Sequence, residues 1–203
     1  MNIEATFVRS AATAADLPRD ELDEIALVGR SNVGKSSLIN ALVRRRVART
    51  SGAPGKTRLA NIYRVARGAR DPLYLVDLPG YGYARGGRPS AREFEELTRI
   101  FFGRAGLAGQ ADPRDHTIAA LLLVDSRHPG LERDTAAWRW LERTADRCAV
   151  VATKIDKLAR GERMRALRTW ESVLEHPVLP VSAVTGEGLD ELWTLIERLR
   201  KSG

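Results

Sequence analysis

Apolar residues along the chain fall into short runs separated by segments of helical spacing. The runs Ile25–Val28, Leu73–Val76, Ile118–Val124, Cys148–Ala152 and residues 178–181 have the length and composition of buried strands. Leu189, Leu192, Trp193, Ile196 and Leu199 recur three or four apart and mark one face of a last helix. Trp138, Trp170 and Trp193 share helix faces with other apolar residues and read as core. Trp140 points away from the Trp138 face and is open to a partner contact. Strands alternating with helices predict an α/β fold, with a mainly parallel six-stranded sheet covered by helices on both faces. Residues 60–66 are expected as an antiparallel edge strand. The 203 residues suit one such domain, and no repeat, low-complexity tract or linker divides them.

The loops that follow the predicted strands carry the candidate chemistry. Gly29, Arg30, Ser31, Asn32, Val33, Gly34, Lys35 and Ser36 read GRSNVGKS, which fits G-x-x-x-x-G-K-[S/T]. A strand-like run precedes this string and the helix-like Ser37–Val43 follows it, the context that a phosphate-binding loop requires. Its glycines let backbone N–H groups converge on phosphate oxygens at a helix N-terminus. Lys35 is expected to reach the β- and γ-phosphates and Ser36 to ligate Mg²⁺. Asp77, Leu78, Pro79 and Gly80 end the second apolar run. There a carboxylate can hold Mg²⁺ and the Gly80 N–H can sense the γ-phosphate. Between them lie Gly55, Lys56 and Thr57, followed by Arg58 and Leu59; Thr57 is the expected second hydroxyl ligand of Mg²⁺. Lys35, Thr57 and Gly80 are the candidate catalytic groups.

Thr153, Lys154, Ile155 and Asp156 follow the fourth run and supply base specificity. The Asp156 carboxylate can accept from both N1–H and the exocyclic amine of guanine, whereas adenine offers neither donor there. A mismatch of this kind discriminates by about 10⁴ or more. The Lys154 stem is expected to cover the base face. In Val181, Ser182 and Ala183, the Ala183 N–H can bond guanine O6. Each of these motifs is weak alone. Together, in this order and each at a strand end, they imply a guanine-nucleotide-binding domain.

Charge adds a second feature. The net charge is +7, yet residues 112–203 carry 15 basic and 15 acidic side chains, so the surplus lies in residues 1–111. From Ile25 through Arg70 there are eleven Lys or Arg and no Asp or Glu. Arg44, Arg45, Arg46, Arg49, Arg58, Arg64, Arg67 and Arg70 exceed what a nucleotide needs. They form either a solvated face or a polyanion-facing surface, RNA being the best match. Residues 81–92, with Tyr83, Arg85, Arg88 and Arg92, mix tyrosine, arginine and glycine. That mixture suits stacking on unpaired bases; the alternative is that the tyrosines pack beneath switch II and the arginines are solvated. No apolar run is long enough for a membrane span and no signal-peptide pattern opens the chain. The one cysteine, Cys148, fits a buried structural thiol in a reducing cytoplasm. His128 beside Asp125 reads as structural or partner-facing, and no Cys/His cluster suggests zinc.

With these residues in hand, the chain resembles the EngB (YihA/YsxC) family of small bacterial GTPases, in the TrmE-Era-EngA-EngB-Septin-like superfamily. The likeness rests on EIALVGRSNVGKSSLINAL at 24–42, SGAPGKTR at 51–58, DLPGYGYA at 77–84, LLLVDSRH at 121–128 and ATKIDKL at 152–158. It implies a Ras-like G domain over residues 23–203 with an N-terminal extension, residues 1–22, packed on it, and no appended domain. It also implies GTP/GDP and Mg²⁺ as ligands, a role in large ribosomal subunit assembly, and a link to cell division and septum formation. The expected partner is rRNA, met by the basic surface of residues 30–70 and 81–92, with no membrane, no DNA and a monomeric chain. A division regulator acting through protein partners is the alternative; a GTPase of tRNA modification or metal transport would call for an attached domain. Arg58 stands where the family more often has Gln, and Gly103–Asp115 is a longer loop than the family pattern. Ras-type enzymes have a Gln where this chain has Tyr81, so slow intrinsic hydrolysis is expected. The G-x-x-N-x-G-K-S form resembles GTPases whose Asn, here Asn32, helps bind K⁺; the alternative is that Asn32 only shapes the loop.

Overall fold

The computed structural model describes residues 2–18, 20, 22–49, 59–81, 98–103 and 117–200. Gly55, Lys56, Thr57, Arg58, the basic stretch after Tyr81 and nearly all of the 103–115 loop lie outside the described residues.

The apolar runs become strands, and the sheet forms around them. The strands are β1 (Ile3–Ala11), β2 (Glu24–Gly29), β3 (Ala60–Arg67), β4 (Leu73–Asp77), β5 (Ile118–Asp125), β6 (Arg147–Thr153) and β7 (Val178–Pro180). Their order across the sheet is β1-β3-β4-β2-β5-β6-β7. Strands β4, β2, β5, β6 and β7 run parallel; β3 is antiparallel to β4 and β1 antiparallel to β3. The fold is thus the expected α/β arrangement with a mainly parallel sheet, but with seven strands instead of six. The 60–66 segment is not the edge, because β1 covers it. Two features hid β1 in the sequence: its register shifts between Phe7 and Arg9, and its burial does not alternate cleanly.

Alternation in β2 shows how the sheet is insulated on both faces. Ile25 and Leu27 face one layer, with Leu38, Ile39 and Leu42 of α1 (Lys35–Val43) and Leu192, Trp193 and Ile196 of α4 (Leu189–Arg200). Ala26 and Val28 face the other, with Trp138 and Leu141 of α2 (Glu132–Thr144), Trp170 and Leu174 of α3 (Arg160–Leu174), and Phe101 and Phe102. Burial on both faces explains why the central strands read as unbroken apolar runs. Trp138, Trp170 and Trp193 are core residues, as expected. Trp140 is half-buried and packs edge-on against Phe102, with ring centroids 5.5 Å apart. Cys148 is half-buried, and burial with the nearby Glu142 charge pushes its thiol up to about 11.

One polar side chain fixes the loop after α1. Asn40 Nδ2 donates to Ala48 O at 2.8 Å, while Asn40 Oδ1 accepts from the N–H groups of Val47 and Ala48 at 2.9 and 2.8 Å. Arg44 closes the helix in the left-handed region, φ 53°, and its N–H returns to Ala41 O. The arginine turn therefore leaves α1 along one held path. No helix among the described residues is long and apolar enough to cross a membrane.

Candidate nucleotide-binding site

The parallel strands deliver their C-terminal ends to one rim of the sheet. At the centre, β2 ends at Gly29 and α1 begins at Lys35. The intervening loop turns through Asn32 (φ 63°) and Gly34 (φ 113°), conformations that asparagine tolerates and glycine favours. The Lys35 side chain folds back so that Nζ donates to Gly29 O at 3.1 Å and Arg30 O at 3.3 Å. Burial lowers its pKa, and the Asp77 charge opposes the shift. Leu27 pairs with Asp77 across β2 and β4, which carries the Asp77 carboxylate to the loop. Ser36 Oγ donates to Asp77 Oδ2 at 2.5 Å, whereas Asp77 Oδ1 is buried with no hydrogen-bond partner among the described residues. Burial raises the Asp77 pKa, against the pull of Lys35 and Ser36. One positive and one negative side chain thus sit desolvated beside a hydroxyl, where electrostatic interactions are strong.

Gly80 meets this loop directly. A Cβ there would lie 2.5 Å from Ser31 N and 2.7 Å from Ser31 Cα, so only glycine fits the approach. Ser31 N–H donates to Tyr81 O at 3.2 Å, and Ser31 Oγ donates to Gly80 O at 3.4 Å. Leu78 is buried and its N–H bonds Leu27 O at 3.3 Å; Pro79 carries the chain from there to Gly80. The Tyr81 hydroxyl turns to α2 and donates to Asp134 Oδ1 at 2.8 Å. Arg30 Nε lies 3.3 Å from Asp134 Oδ2, a contact of charges without hydrogen-bond geometry. Burial pushes the Tyr81 pKa well up, with Asp134 adding to it, so Tyr81 acts as a donor.

The third and fourth motifs close the rim. Thr153 Oγ1 lies 2.7 Å from Val33 O and 3.1 Å from Val124 O, tying the end of β6 to the phosphate-loop segment and to β5. Lys154 adopts a left-handed backbone, φ 62°, and its Nζ donates to Asn32 O at 2.6 Å and Asp125 Oδ2 at 2.9 Å. Its ammonium therefore bridges the loop between β2 and α1 and the end of β5. Ile155 is fully buried below it. Asp156 accepts from Ser182 Oγ at 2.7 Å, and this bond, with Lys157, holds its carboxyl below the ordinary value. Val181 is buried, its N–H bonding Ala152 O, while Ser182 Oγ also accepts from the N–H groups of Val184 and Thr185. Ala183 is half-buried beside them and Leu59 is exposed at the start of β3.

Of the expected residues that are described, the structure gathers Gly29–Ser36, Asp77–Gly80, Thr153–Asp156 and Val181–Ala183 along one rim. Arg30 alone turns its charge away, to Asp134. Two anionic residues escaped the sequence reading as site elements. Asp125 grips Arg127 at 2.9 and 2.8 Å and also holds Lys154; burial opposes ionisation, but these cations keep its carboxyl well below the usual range. Asp134 is fully buried, and its spacing to Trp138 and Leu141 could have disclosed it as a charge on the inward stripe of α2. His128 is exposed and bonds Asp125 O only through its backbone N–H.

Fold and rim together define a Ras-like P-loop GTPase domain. The sequence pattern of the family described as 50S ribosome-binding GTPase matches residues 24–154. A probable GTP-binding protein EngB of Pelotomaculum thermopropionicum is 42% identical over 199 residues, covering 96% of this chain and 94% of that protein. Among solved structures, a probable GTP-binding protein engB superposes with a TM-score of 0.65 at 22% identity over 87% of this chain and 97% of its own. Era in complex with MgGDPNP and nucleotides 1506–1542 of 16S ribosomal RNA superposes with a TM-score of 0.69 at 23% identity. There the match spans 90% of this chain and 58% of Era. The chain belongs to the EngB family of GTP-binding proteins, and its domain is a GTPase domain.

The Arg30–Asp134–Tyr81 cluster gives a graded expectation. Asp134→Ala strands the Arg30 charge and the Tyr81 hydroxyl together, and should cost about 3 kcal/mol. Tyr81→Phe removes one hydrogen bond and should cost about 1–2 kcal/mol. Urea unfolding of the two variants checks the order; equal costs would contradict the cluster.

Proposed function

We propose that this protein is a nucleotide-controlled switch in the assembly of the large ribosomal subunit, acting as a monomer in the cytoplasm. The observation that carries the reading is the direct contact of Gly80 and Tyr81 with Ser31 of the phosphate loop. Whatever binds that loop bears on the chain segment leaving β4, the minimal requirement for coupling phosphate state to a surface. The match to a 50S ribosome-binding GTPase family supports the large subunit as the target. The Era complex supports RNA as the partner's chemistry.

In this reading, backbone N–H groups of Gly29–Ser36 cradle the phosphates and Lys35 compensates the β- and γ-phosphate charge. The buried, unpartnered Asp77 Oδ1 and the neighbouring Ser36 hydroxyl are hard oxygen donors that fit Mg²⁺, with Thr57 as the further ligand. The ion, when bound, supplies charge neutralisation at the β- and γ-oxygens. Gly80 N–H faces the γ-phosphate, and Gly55, Lys56, Arg58 and Leu59 flank Thr57 around the nucleotide. Asp156 accepts the two guanine donors, Ala183 N–H bonds O6, and the Lys154 stem covers the base. Hydrolysis is slow because Tyr81, where Ras-type enzymes have Gln, commits its hydroxyl to Asp134. A K⁺ ion beside Asn32 is part of the reading. The left-handed Asn32 backbone gives the competing role of loop shaping, and equal kcat in K⁺ and Na⁺ would leave only that role.

The arginine surplus supplies the RNA face, after subtraction. Arg30 pairs with Asp134, Arg70 with Glu197 at 3.0 Å, and Arg67 lies over the Trp193 ring at 5.0 Å. Arg44, Arg45, Arg46, Arg49 and Arg64 are exposed; residues 81–92 complete the proposed surface.

Cosedimentation with large ribosomal subunits tests the reading. The wild type should be retained with a non-hydrolysable GTP analogue and released with GDP. Asp156→Asn should lose the GTP response and regain it with the xanthosine analogue. Absence from every ribosomal fraction in both states, with recruitment to the septum, would replace this reading by a division regulator acting through protein partners.

A further inference from the structure

We propose that the corner formed by the α1 turn and the outer strand β1 is a constitutive docking site for unpaired RNA, separate from the nucleotide-controlled surface. It rests on the RNA reading above and divides that surface in two.

Helix α1 starts at the phosphate loop with Lys35 and ends at Val43, so Arg44 lies roughly 13 Å farther along its axis. Arg44, Arg45 and Arg46 are exposed, and no ion pair ties them to any described residue. The three bonds from Asn40 to Val47 and Ala48 hold their turn to α1 itself. Nothing in this anchoring involves Asp77, Gly80 or Tyr81.

Phe7 is 53% exposed on an outermost strand, which leaves about half of its ring open to a ligand. It pairs across the strands with Tyr63, their ring centroids 5.7 Å apart. Val43 and Ala48, which flank the arginine turn, belong to the same buried cluster as Ala5 and Tyr63, so the turn and the exposed ring belong to one face of the sheet. Arg64 does not: strand alternation turns it to the other face, where it pairs with Tyr74. Arginines on the same face as a half-exposed aromatic ring match a phosphate backbone with a splayed base, which a duplex cannot present. The absence of Asp and Glu from Ile25 through Arg70 leaves no acidic side chain within this segment to repel it.

Fluorescence anisotropy with a short labelled single-stranded RNA of mixed sequence, over a potassium chloride series, tests the proposal. Wild-type affinity should be equal with GDP and the GTP analogue, and higher than for the same strand in a duplex. Replacing Arg44, Arg45 and Arg46 together with Ala should flatten the log–log salt slope by about 2. Phe7→Ala should weaken binding about tenfold at unchanged slope. Both variants should keep wild-type GTP affinity, which certifies their folding. An unchanged slope in the triple variant, no effect of Phe7→Ala, strong nucleotide dependence, or full displacement by polyglutamate at equal charge would each overturn it. Sedimentation separates the two readings. If wild type and variants sediment alike with ribosomal subunits, and the variants bind the oligonucleotide like wild type, only the corner fails. If wild type binds the oligonucleotide as stated but no particle, only the ribosomal reading fails.

Discussion

The Asp77 carboxylate is the constraint around which the rim is built. Isolated charges are expensive to bury, and an aspartate at a sheet centre survives only with partners. Here one oxygen takes the Ser36 hydroxyl, the Lys35 charge acts on the carboxylate, and the second oxygen is buried without a donor among the described residues. Register makes this possible: β2 and β4 run parallel, so both end at the same level and their loops must touch. Gly80 is then pressed against Ser31 so closely that no side chain fits. A single polar centre thereby links the phosphate loop to the segment that leaves β4.

The base side of the rim is linked to the same loop by other means. Thr153 bonds Val33 O, and Lys154 reaches Asn32 O while Asp125 holds its ammonium. Lys154 keeps a left-handed backbone, a strain of about 1–3 kcal/mol that its fixed neighbours offset. Asp125 in turn is kept ionised by Arg127 and Lys154. The segment after β6 and the loop between β2 and α1 are therefore joined by direct hydrogen bonds.

Much of this was legible in residue order, because each motif sits at the end of a strand whose apolar run is unmistakable. The two-sided burial of Ile25–Val28 and Ile118–Val124 produces that signal. Strand β1 was not legible as part of the sheet, since a bulge and mostly exposed residues erase its alternation. Tertiary polar contacts were equally silent. Nothing local in GRSNVGKS tells that Arg30 turns to Asp134, more than a hundred positions away, or that Asn40 closes on Val47 and Ala48. A charged residue on an apolar helix stripe, Asp134, was the one such contact that spacing could have exposed.

In the proposed function the molecule has a part that senses phosphate, around Gly80 and Tyr81, and a part that does not, held by Asn40. Hydrogen exchange of the GDP form and of a non-hydrolysable GTP analogue form tests that division most directly. The Gly80 and Tyr81 amides should become better protected with the analogue, while those of Val47 and Ala48 exchange alike in both states. Equal protection of Gly80 and Tyr81 in the two forms would contradict the switch.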